Sequence, residues 1–60
     1  MTVDAGRAYD TARRMLARYS SATVAADMAH WHAMDYPPGD PERVYWQLVG
    51  TLIRQIGKAN

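Results

Sequence analysis

An all-α fold, a small bundle of three helices with the last of them central, is what the sequence predicts. Three observations lead there. Apolar residues recur at helical spacing along three separate stretches. Only two breaks, "SSAT" and "YPPGDP", part those stretches. Clear start and stop chemistry brackets the third of them.

The first helix is expected over about 3–20. Ala5, Ala8, Tyr9, Ala12, Met15, Leu16 and Tyr19 fall within an arc about 120° wide when successive residues are set about 100° apart. Thr2 can cap its start, with Asp4 in the first turn where the helix dipole favours a carboxylate. Serine and threonine compete for backbone hydrogen bonds, so Ser20, Ser21 or Thr23 begins a second helix over about 22–35. On its wheel Val24, Met28 and Trp31 form the apolar arc. His32 lies at the edge of that arc, and Asp27 and His30 lie on the solvent side. The residue before a proline is pushed out of the α region, which makes Tyr36 the boundary.

A third helix is expected over about 41–57. Asp40 is its N-cap, Pro41 its first residue and Glu42 an acid in its first turn. Gly57 is the expected terminator, with Arg54 and Lys58 near the negative end of the dipole. Its apolar residues, from Val44 round to Trp46, span about 200° of the wheel, against the roughly 100° that one neighbour covers. Six of the nine Leu, Ile and Val residues of the chain lie here. Helix 3 is therefore the centrepiece, with at least two neighbours or one neighbour and an external partner.

Size and composition bound the function. The 60 residues form a single domain, 1–60, and a chain of this length buries only about 60% of the surface its unfolded form exposes. Cysteine is absent, so disulfides and thiolate zinc sites are excluded. Ten alanines and no phenylalanine make the apolar fraction thin in volume, and association is the expected remedy. The net charge is +1, and the pI of about 8.2 falls short of the value above about 9 typical of nucleic-acid-binding domains. No basic start followed by an apolar run, and no apolar stretch of about 18 residues, is present; the expectation is a cytoplasmic protein without a membrane span. Arginine outnumbers lysine six to one, which suits a GC-rich bacterial or phage genome.

Catalytic patterns are missing. The sequence has no glycine-rich phosphate loop and no serine at a strand-to-helix turn. A three-helix domain also leaves little room for a pocket of the usual few hundred Å³. The expectation is a non-enzymatic chain without a cofactor.

Three uses of the surface compete. The first is a protein-interaction module, self-associating or docking on a larger protein as a small regulator. It would act through the wide face of helix 3, with Tyr45, Trp46, Val49 and Ile53 joined by Met34 and Tyr36 near the corner. The second is a helix-turn-helix-like nucleic-acid binder. Arg7, Arg14 and Arg18 fall within about 40° of one another on the first helix, with Arg13 at the side. Against it, the "DYPPGDP" turn exceeds the usual three or four residues. The third is a metal- or pH-responsive module. His30 and His32 point about 200° apart on a helix and cannot share one metal. The pairs Asp27 with His30 and His32 with Asp35 do share a face, so a dimer could complete a site.

Overall fold

The structure, a computed structural model, describes residues 4–59. Three helices follow one another: α1 (Ala5–Arg18), α2 (Ala22–Met34) and α3 (Pro41–Ala59). They form a small bundle in which α3 packs against both other helices, while α1 and α2 touch each other sparingly.

Each helix starts on a side-chain cap. Asp4 caps α1, its carboxylate accepting from the Arg7 N–H at 3.1 Å. Asp4 is thus the cap itself and not a first-turn residue; Thr2, the cap expected from the sequence, lies outside the described residues. Of the three candidates for the start of α2, Ser21 takes the role, its hydroxyl accepting from the Val24 N–H at 3.1 Å. Asp40 caps α3 through the Glu42 N–H at 2.9 Å, with Pro41 as the first helical residue.

The corner between α2 and α3 is built by proline and glycine. Asp40 N–H donates to the Pro37 carbonyl at 3.0 Å, closing a four-residue turn with Pro38 second and Gly39 third. Proline suits the second place, and the third needs the positive φ that Gly39 supplies at 85°. Arg43 then ties the corner down, its guanidinium donating to the Tyr36 carbonyl at 3.0 Å.

Packing of α2 on α3 sets small residues against small ones, so that the two backbones come close. Ala22 of α2 lies beside Gly57 of α3, Ala29 beside Gly50, and His32 beside Trp46. The pairing steps back along α2 as it steps forward along α3, so the two helices form an antiparallel hairpin. Ala25, Ala26, Ala29 and Ala33 are all buried, and Val49 and Ile53 of α3 are the largest fully enclosed side chains. Ala8, Ala12 and Met15 of α1 complete the core.

Two expectations are corrected here. The second helix does not face the core with Val24 and Trp31, although Met28 packs against it half-buried. It faces it with Ala22, Ala25, Ala26, Ala29 and Ala33, and Val24 and Trp31 are exposed. The reason is steric: α2 lies close against Gly50 and Gly57 of α3, and only small side chains fit in that gap. Gly57 does not end the third helix either, because α3 runs on to Ala59. A Cβ at Gly57 would stand 2.5 Å from the Ala22 Cβ, so glycine is there to admit α2.

The two helical glycines therefore separate in their response to alanine. At Gly50 an added Cβ meets Ala29 at an ordinary 3.7 Å. Gly50→Ala is expected to stabilise by about 0.5–1 kcal/mol through helix propensity. Gly57→Ala is expected to lose about 1–2 kcal/mol, because overpacking against the Ala22 Cβ outweighs that same gain. Urea unfolding of the two variants beside the parent chain checks the opposite signs.

Candidate interaction surface

The interior offers no chemistry. Among the described residues no polar or charged side chain is buried, and no buried side-chain nitrogen or oxygen lacks a hydrogen-bond partner. Any site must therefore be assembled on the outside.

The residues expected to carry a partner on α3 divide sharply. Val49 and Ile53 are 0% exposed in the single chain and present nothing to a partner, which corrects the sequence-based expectation for both. Their margin of the wheel is the one that the alanine face of α2 covers. Trp46 is half-buried: its ring stacks on His32 with centroids 4.3 Å apart and planes 19° apart, and Tyr45 meets it edge-on at 5.4 Å. Tyr45 is half-buried too, its hydroxyl hydrogen-bonded to that of Thr11 and its ring beneath the Arg7 guanidinium at 5.6 Å. Tyr36 is half-buried at the corner. Met34 alone of the six is exposed, at 51%.

What the sequence reading missed lies on the outer side of α2. Trp31 is 64% exposed and Val24 42%, and Met28 is half-buried at the margin. Val24 and Trp31 are two turns apart and Met34 follows one turn later, so they form a stripe along the helix. Asp27 and Asp35 stand one turn before and one turn after Trp31, both exposed. The His30 ring meets Trp31 edge-on, centroids 6.1 Å apart. One signal in the sequence would have located this stripe. Alanines at 22, 25, 26, 29 and 33 already make a complete inward helical stripe, leaving the bulkier residues to the other side.

The arginines of α1 keep to the surface. Arg7, Arg13, Arg14 and Arg18 are exposed. Arg7 and Arg14 line an open cleft of about 410 Å³ between α1 and α3, shared with Asp10, Glu42, Thr11, Tyr45 and Trp46. Two carboxylates in that cleft dilute its positive potential toward a phosphate. The α2–α3 pair also stays in contact from His32–Trp46 to Ala22–Gly57. A helix-turn-helix instead crosses at about 90–120°.

Asp27, His30, His32 and Asp35 are all exposed on α2, and His32 turns toward Trp46. Among the described residues no three His, Asp or Glu side chains gather as a metal site. No described helix is long and apolar enough to cross a membrane. Comparison of the chain with protein-family models, with curated proteins and with solved structures finds no match.

The two tryptophans are expected to differ in what they contribute to stability. Trp31→Ala should change it by no more than about 0.5 kcal/mol, as for a surface substitution. Trp46→Ala should cost about 1–3 kcal/mol, since half of a large side chain's burial is lost. His32→Ala is expected to cost about 0.5–1.5 kcal/mol, the worth of an aromatic pair. That loss should vanish in the Trp46→Ala background, which a double-mutant cycle in thermal unfolding reads directly.

Proposed function

We propose that this chain is a protein-interaction module that works through the outer face of α2. The observation that carries the reading is Trp31, 64% exposed, in line with Met34 and Val24. Tryptophan and methionine are enriched at the centres of protein interfaces, where a few large side chains supply most of the binding energy. A core whose largest enclosed side chains are a valine and an isoleucine gains stability from any partner that binds the folded form.

A pull-down from a lysate of cells that express the protein, beside a mass measurement of the free chain, tests this. Immobilised parent chain is expected to retain proteins that the Trp31→Ala, Met34→Ala bait does not, or the free chain is expected to form an oligomer that the same substitutions dissociate. Equal retention by both baits together with a monomeric mass would overturn the reading.

A further inference from the structure

We infer that the outer face of α2 is built for a basic amphipathic helix of another protein, one that carries an apolar anchor between lysines or arginines. The inference rests on the interaction reading above and names its partner's chemistry.

Charge makes the choice. The chain as a whole carries +1, yet α2 with its caps has two carboxylates, Asp27 and Asp35, and neither lysine nor arginine; the next two acids, Asp40 and Glu42, sit at the start of α3, Glu42 in the cleft with Arg7 and Arg14. The two on α2 flank the exposed indole: Asp27 one turn before Trp31 and Asp35 one turn after. Asp35 is also the C-cap of α2, so the negative end of the helix dipole adds to its field. Arg43 reaches the same end of the face, its second guanidinium nitrogen 3.9 Å from the Met34 sulfur and its first donating to the Tyr36 carbonyl, and its charge partly offsets the carboxylate at that end. His30 and His32 are the remaining titratable groups on α2; His32 is stacked on Trp46, leaving His30 beside the indole.

A helix laid along this face would set its apolar anchor on Trp31 and Met34, with cations one turn to either side meeting Asp27 and Asp35. A cation that falls on the indole itself gains from the ring's negative face. Methionine adapts its shape to whatever apolar side chain arrives. A second copy of this chain suits the face less well. The stretch "DMAHWHAMD" reads the same in both directions about Trp31. An antiparallel pairing centred there sets Asp27 of one copy against Asp35 of the other, and like charges oppose each other.

The test uses the full chain and a dye-labelled 18-residue peptide of leucine and lysine in amphipathic helical order, followed by fluorescence anisotropy. Its companions are the same peptide with glutamate for lysine and a scrambled leucine–lysine peptide. The helical lysine peptide is expected to bind, more weakly as salt is raised, and the other two at least about tenfold less well. Trp31→Ala should weaken binding by at least about tenfold, and Asp27→Asn with Asp35→Asn by roughly tenfold at low salt. Circular dichroism melting of each variant separates lost binding from lost folding. Equal binding of the glutamate peptide, or binding untouched in a folded Trp31→Ala variant, overturns the inference. Sedimentation of the chain alone distinguishes the two proposals. A dimer that Trp31→Ala dissociates would assign the face to a second copy, so that the interaction reading stands and the basic partner falls.

Discussion

The close approach of α2 to α3, alanine laid against glycine, is the constraint on which the rest of the molecule depends. Ala22 sits where a Cβ on Gly57 would have to be, and Ala29 rests over Gly50. With the backbones admitted that near, Val49 and Ile53 are sealed between the helices and fill the space that alanines leave. A bulkier inner face on α2 would push the pair apart and open the core to water. Val24 and Trp31 of α2 are consequently turned outward, while Met28 reaches the core only from the margin. Exposure of Trp31 and Val24 follows from the packing of the opposite face.

Much of this architecture is legible in the letters, where local chemistry decides. Asp40, Pro41 and Glu42 mark the start of α3 because a cap and a preset φ act within one turn. Tyr36 before Pro37 marks the end of α2 for a similarly local reason. The central place of α3 is legible from the width of its apolar arc. The rotation of α2 is not, because a wheel ranks valine, methionine and tryptophan above alanine, whereas the neighbour selects by shape. Gly57 misleads in the same way: beside a C-terminus it reads as a terminator, and only the position of Ala22 shows that it is a packing residue. On the surface, Met34 was legible from its place near the corner. Val49 and Ile53 were not, since enclosure depends on how closely a neighbour can come.

The division of labour among the helices bears on function. Nothing polar is buried among the described residues, so the interior serves stability alone. Outside, the α1 arginines share a cleft with Asp10 and Glu42, and His32 spends its ring on Trp46. Neither feature leaves a group as exposed and as apolar as Trp31 with Met34. A small domain with a thin core gains stability from any partner that binds only its folded form.

Acrylamide quenching of two single-tryptophan variants tests the orientation of α2 most directly. With Trp46→Phe the remaining emission comes from Trp31, and with Trp31→Phe it comes from Trp46. At protein concentrations low enough to keep the chain monomeric, Trp31 should emit at the long wavelength of indole in water and be quenched efficiently. Trp46, stacked on His32, should emit further to the blue and be protected. The reverse order, a shielded Trp31 beside an accessible Trp46, would mean that α2 turns its bulky side inward, and the alanine–glycine contact could not be what holds the bundle together.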